Sequence, residues 1–138
     1  MKLKNNKKGF TLVELVIVIA VIAILAAVLI PTFATVIANA NKSALQSEAN
    51  NLYTGIMVEY ADDVDGFDAF FATIEDKDKN EDGSIKHTVI IGEDAISTYI
   101  SDDTKMTIEG TTITLTAGQY YVTITKAGVA KKVEKSGN

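Results

Sequence analysis

Apolar residues run without a break from Leu15 to Ile30, and the wider stretch from Leu12 to Ile30 is interrupted only by Glu14. At 1.5 Å per residue, 19 helical positions span about 28 Å, close to the thickness of one hydrocarbon core. After Pro31 the continuous run gives way to a stripe: Phe33, Ile37, Ala40, Ala44, Leu45, Ala49, Leu52 and Ile56. Steps of three and four put these on one helical face, while Gln46, Glu48, Asn50 and Asn51 fall elsewhere. The pattern predicts one helix from about Phe10 to Tyr60, roughly 76 Å long, apolar all round in its first half and covered on one side in its second. Pro31, the sole proline, removes an intrahelical donor and crowds the preceding turn, which predicts a kink.

The periodicity then changes. Asp62-Asp63-Val64-Asp65-Gly66 reads as a break, and Phe67–Ile74 as a short helix burying Phe70, Phe71 and Ile74. Thr88–Ile91 reads as a strand, and Glu93–Ile100 as a short helix with Ala95, Ile96, Tyr99 and Ile100 on one face. Met106–Ile108, Ile113–Leu115 and Tyr120–Ile124 alternate apolar residues with threonine or other partners at period two, punctuated by Gly110, Gly118 and Gly128. Such alternation predicts an antiparallel meander with one face packed and one wet, its last strand around Val129–Val133. Lys131–Asn138 reads as a frayed tail. The fold class expected is α+β: a long N-terminal helix packed against a small antiparallel β-meander head. Residues 10–31 form its apolar segment, 32–60 the amphipathic half of the same helix, and 61–138 a small acidic head.

Glu14 is the chemical anomaly of the apolar segment. An ionised carboxylate near the middle of such a helix costs about 2.5–3.5 kcal/mol on insertion scales, so it needs a partner. It lies in Lys7-Lys8-Gly9-Phe10-Thr11-Leu12-Val13-Glu14-Leu15. From Lys7 to about Pro31 the chain resembles the class III signal and N-terminal segment of type IV pilins and pseudopilins. The resemblance rests on the basic leader, Gly9 at the cut, Phe10 as first mature residue, Thr11-Leu12, Glu14 as fifth and Pro31 as twenty-second. It implies that residues 1–9 are a leader removed by a membrane prepilin peptidase between Gly9 and Phe10, and that the Phe10 amine is N-methylated. It further implies single-pass insertion with the head outside, then transfer through an inner-membrane assembly platform into a helical filament of pilin subunits. Thr11 and Glu14 would serve assembly, and the helix near Pro31 would partly melt there.

Cleavage after Gly9 creates an ammonium at Phe10, one helical turn from Glu14. In a filament, a neighbouring subunit's Phe10 amine could meet Glu14 inside an apolar core. A buried charge pair is weak evidence for net stability, but it fixes register, because a slipped subunit leaves both charges unpaired. The bland alternative is a Glu14 that stays beside Lys7 and Lys8 at the headgroups. A second processing signal competes: Ala38-Asn39-Ala40 has the small-x-small form of an ordinary secretory site. The apolar run is longer than an ordinary h-region of about 7–15 residues, and Pro31 lies far ahead of Ala40. Two functions therefore compete: a filament subunit beginning at methylated Phe10, and a membrane-tethered or secreted binding domain beginning at Asn41.

Charge narrows the partners. All 13 basic residues are lysine against 18 acidic ones, for a formal −5. Loss of residues 1–9 removes four lysines, leaving nine against eighteen, a formal −9. That surface opposes nonspecific attraction to nucleic acid or to anionic headgroups, and direct nucleic-acid binding is disfavoured. The absence of cysteine rules out a disulfide in an exported head, throws more weight on packing, and fits a Gram-positive source.

One loop has metal-ligand spacing. Asp78-x-Asn80-x-Asp82-Gly83-x-Ile85 matches the first eight positions of an EF-hand-type loop, with the Ser84 carbonyl as a further donor, so a structural Ca²⁺ is conceivable. The twelfth position is Val89 instead of a bidentate glutamate, and Asp, Asn and Gly are also ordinary turn residues. No catalytic constellation is legible: His87 is the single histidine and no phosphate-cradling glycine motif occurs. The chain reads as a structural protein, not an enzyme.

Overall fold

A computed structural model describes residues 9–61 and 66–137. The leader residues 1–8 and the acidic break at 62–65 lie outside the described residues. Helix α1 spans Leu12–Glu59 with Pro31 inside it. Its residues up to Ala38 belong to one compact unit and those from Asn39 to a second, which also holds the rest of the chain.

In the first unit the large apolar side chains from Leu12 to Ile37 are exposed. Phe33 and Ile37, expected to begin a covered stripe, belong to this exposed set. Ala40 and Ala44, in the second unit, are exposed too. The covered face starts at Leu45 and continues through Ala49, Leu52 and Ile56, each almost fully buried. The sequence spacing is continuous across all eight positions, so periodicity alone does not reveal where cover begins.

The second unit places the C-terminal part of α1 with an antiparallel sheet in two layers. β1 (Ile90–Ile91) and β2 (Asp94–Ala95) form a separate small hairpin. The main sheet contains β3 (Lys105–Glu109), β4 (Thr112–Ala117), β5 (Tyr120–Thr125), β6 (Gly128–Val129) and β7 (Glu134–Lys135). Its order is β3-β4-β5-β6, with β7 also paired to β5. Met106, Ile113, Leu115, Tyr120, Val122 and Ile124 are buried, as the period-two pattern requires. Fully burying each aliphatic side chain contributes about 1.5–3 kcal/mol. Two-residue loops join β3 to β4 and β4 to β5, with Gly110 and Gly118 as first loop residue at φ 59°. That left-handed conformation suits the strand twist and is open to glycine without a Cβ penalty. Two side-chain bonds tie the helix to the sheet's outer edge: Gln46 Nε2 donates to the Ala130 carbonyl at 3.0 Å, and Tyr53 Oη to that of Lys126 at 3.4 Å.

Several local expectations need correction. The short helix α2 runs Gly66–Ala72, and it buries Phe67 and Phe70 while Phe71 and Ile74 are half-buried. Phe67 sits between Tyr53 at 6.0 Å and Phe71 at 5.1 Å, ring centre to ring centre, so the aromatic cluster chooses which face turns in. The strand expected over Thr88–Ile91 shrinks to Ile90–Ile91. The helix expected over Glu93–Ile100 is replaced by β2 and a single 3₁₀ turn at Ile96–Thr98. Its apolar spacing was real, because Ile96 and Ile100 are buried, but tertiary cover decided the backbone. The last strand is split. Between its pairings Ile124↔Val129 and Tyr120↔Lys135, four steps along β5 face six along the outer strand. The intervening residues bulge away. The tail is also less frayed than expected: Val133 is buried, β7 is paired, and the Ser136 amide donates to the Gln119 carbonyl at 2.8 Å.

Candidate functional site

The start of α1 gives Glu14 a partner within its own chain. Thr11 immediately precedes the first helical residue, Leu12, and Glu14 stands at the third helical position. The Thr11 amide and the Thr11 hydroxyl both donate to Glu14 Oε2, each at 2.8 Å, and the Glu14 amide donates back to Thr11 Oγ1 at 3.3 Å. This is a reciprocal capping box, which supplies acceptors for helix-start N–H groups that otherwise have none. An N-cap is worth about 0.5–2 kcal/mol in water, and lipid gives those groups no alternative acceptor. The Thr-x-x-Glu spacing was a legible signal for this contact; the anomaly of a charge in an apolar run drew attention to an intersubunit partner instead. Among the described residues, Glu14 Oε1 makes no hydrogen bond. Gly9 and Phe10 precede the helix, and Phe10 is 91% exposed, so both residues of the expected cut are accessible.

Around Pro31 the helix continues without interruption. The missing proline N–H leaves the Ala27 carbonyl without its usual donor. Two hydroxyls bond neighbouring carbonyls here: Thr32 Oγ1 donates to Leu29 at 2.7 Å, and Thr35 Oγ1 to Pro31 at 3.2 Å. These bonds add donors to carbonyls beside the proline, and neither goes to the Ala27 carbonyl. Helix α1 is long and apolar enough to cross a membrane, and none of its most apolar window is buried.

The loop with calcium-ligand spacing is held by its own side chains. Asp78 Oδ2 accepts the Glu75 amide at 2.9 Å. Asp82 Oδ1 accepts the Ser84 amide at 3.0 Å and the Ser84 hydroxyl at 2.5 Å, while Asp82 Oδ2 pairs with Lys105 Nζ at 2.5 Å. Lys105, then Ser84, hold the Asp82 carboxyl well below the usual carboxylate range. The Ser84 carbonyl accepts the Asn80 amide at 2.7 Å, and Asn80 Nδ2 donates to Ser84 Oγ at 3.0 Å. Lys105 thus pairs with one of the Asp82 oxygens expected to face a cation. Among the described residues no three His, Cys, Asp or Glu side chains form a metal-binding group.

A polar cluster that sequence reasoning missed lies beside it. Glu48 Oε2 accepts the Thr104 hydroxyl at 2.6 Å, Glu48 Oε1 accepts the Ser101 amide at 3.3 Å, and the Thr104 carbonyl lies 2.8 Å from His87 Nε2. These partners are separated by up to 56 residues, so no local pattern announces them. They pin α1 to the segment before β3.

Residues 4–30 match the family model described as the prokaryotic N-terminal methylation motif. The chain is 43% identical over 68 residues to the type IV major fimbrial protein FimA of Dichelobacter nodosus, covering 49% of this chain and 44% of that protein. It is 50% identical over 52 residues to a fimbrial protein of Moraxella nonliquefaciens, covering 38% and 34%. To the type IV wide pilus major component PilA4 of Thermus thermophilus it is 54% identical over 47 residues, covering 34% and 36%. The chain therefore spans less than half the length of these relatives. No solved structure matches. The chain thus combines a capped, uncovered apolar helix that carries a methylation motif with an α+β head. The N-terminal segment of the chain is similar to that of type IV pilins.

Proposed function

We propose that the chain is a structural, non-enzymatic subunit of a type IV pilus or related filament. Prepilin peptidase removes residues 1–9, the Phe10 amine is methylated, and the subunit waits in the cytoplasmic membrane through Leu12–Ile30 with its head outside. The assembly platform then transfers it to a filament of like subunits at the cell surface, where such filaments support adhesion, motility, secretion or DNA uptake.

The observation that carries this reading is the uncovered apolar face of α1, which needs lipid before assembly and other helices afterwards. Glu14 adds register. Its Oε2 is occupied by Thr11, while Oε1 is left for a cation arriving from outside the chain. A neighbour's Phe10 ammonium is the matching group, and a subunit one step out of place would leave both charges unpaired. Pro31 marks the position where α1 yields during packing.

The test is electron microscopy of sheared cell-surface material from cells carrying a tagged copy. Filaments that contain the chain, and vanish on its deletion when it is the main component or shorten when it is a minor one, support the reading. Recovery solely as a soluble monomer contradicts it.

A further inference from the structure

The head is acidic, yet three lysines gather at the point where α1 enters it. Residues 15–41 carry no charge, so Lys42 is the first charged residue after Glu14. A shallow hollow in the second unit is lined by Lys42, Ser43, Gln46, Lys131, Lys132 and Val133. Lys131 and Lys132 come from the bulge between β6 and β7, whose two extra residues turn them out of the sheet edge. The Gln46–Ala130 bond holds that bulge against α1. Both bulge lysines are exposed, and Lys42 is half-buried with its ammonium 5.1 Å from the centre of the Tyr120 ring. Elsewhere in the head, Lys77, Lys105 and Lys126 each hold a carboxylate. None of the three clustered lysines forms an ion pair among the described residues. Glu134 shares a hollow with Lys132 but is engaged by the Tyr121 hydroxyl at 2.6 Å.

We propose that Lys42, Lys131 and Lys132 form a docking surface for anionic phospholipid headgroups, holding the head against the membrane before the subunit leaves it. The proposal rests on the membrane-inserted state in the reading above. Chain length supplies the geometry: Lys42 lies five positions after Ile37, the last uncovered large apolar residue of the first unit. Phe33, Val36 and Ile37, which follow the Leu12–Ile30 span, are also uncovered and suit the interface, and from Ile37 the chain to Lys42 reaches at most about 18 Å even fully extended. Lysine stems can lie along apolar surface while their ammonium groups seek phosphate. The negative charge of the remaining head repels the same membrane, which confines attraction to this patch and orients the head.

The full chain is reconstituted in nanodiscs of phosphatidylcholine alone or mixed with phosphatidylglycerol, and lysine acetylation rates are read by mass spectrometry. Lys42, Lys131 and Lys132 should react several-fold more slowly in the anionic discs, with Lys86 as an unchanged internal reference. High salt should remove the difference, and Lys131→Glu/Lys132→Glu should remove it at Lys42. Equal rates in both discs overturn the proposal. Slowing in both also overturns it, because steric cover or self-association then protects the lysines. A chain that fails to stay in the discs overturns the membrane-inserted reading as well, an outcome distinguished by co-purification.

Discussion

Glu14 Oε2 accepts both the amide and the hydroxyl of Thr11, each at 2.8 Å, so the only charge within Leu12–Ile30 doubles as a helix cap. Capping and intersubunit pairing are separable by substitution. Glu14→Gln keeps an oxygen acceptor for Thr11 but no charge, while Glu14→Ala loses both. Both variants are expected to be cleaved after Gly9 and to accumulate in the membrane, with filaments lost in each. Abundant filaments from Glu14→Gln would show that the cap suffices and that register does not need the charge.

The start of cover at Leu45 is testable by contrast. Leu52→Ala opens a cavity in a fully buried site and should cost about 2–5 kcal/mol. Phe33→Ala, on the same sequence stripe but 60% exposed, should leave head stability unchanged. Thermal melts of the detergent-solubilised chain, followed by tyrosine near-UV circular dichroism, would show the difference. Equal losses would mean that Phe33 packs within the chain.

Glu48 is the acceptor for two donors far along the chain, Thr104 Oγ1 and the Ser101 amide. Glu48→Ala leaves the buried Thr104 side chain without that acceptor, and should lower stability by about 1–3 kcal/mol. Thr104→Val in the same background should add little, since the partner is already gone. Additive losses in this double-mutant cycle would deny the coupling.

Asp82 links acid sensitivity to the metal question. Lys105, and after it Ser84, lower its folded pKa. A lowered folded value contributes stability above the unfolded value of about 3.9, and that contribution fades as pH falls through the folded value. The wild type should therefore melt higher than Asp82→Asn near neutrality, with the gap narrowing below about pH 4. Because Lys105 already neutralises Asp82, adding Ca²⁺ or a chelator should leave the wild-type Tm unchanged. A Tm raised by Ca²⁺ would identify Asp78, Asn80, Asp82 and Ser84 as a ligand set.

Legibility in the sequence followed the range of the interactions. The long helix was read to within two residues at its start and one at its end, because its apolar spacing repeats over many turns. Strands β3, β4 and β5 were equally plain from alternating threonines between turn glycines. Glu93–Ile100 failed because two apolar pairs four apart suit a helix as well as a hairpin followed by a 3₁₀ turn, and packing chose the latter. The split outer strand failed because a two-residue register change leaves no trace in period-two patterning. At the N-terminus the Thr11–Glu14 contact is local, and its Thr-x-x-Glu spacing stands in the sequence. Lys42 with Lys131 and Lys132, and Glu48 with Thr104, were not legible, since only the fold brings such distant residues together.

The most direct test is the mass of the mature N-terminal peptide from surface-sheared protein. The account predicts a peptide beginning at Phe10 and carrying one N-methyl group. A peptide beginning at Asn41, or an uncleaved Met1 terminus on the surface protein, would contradict it.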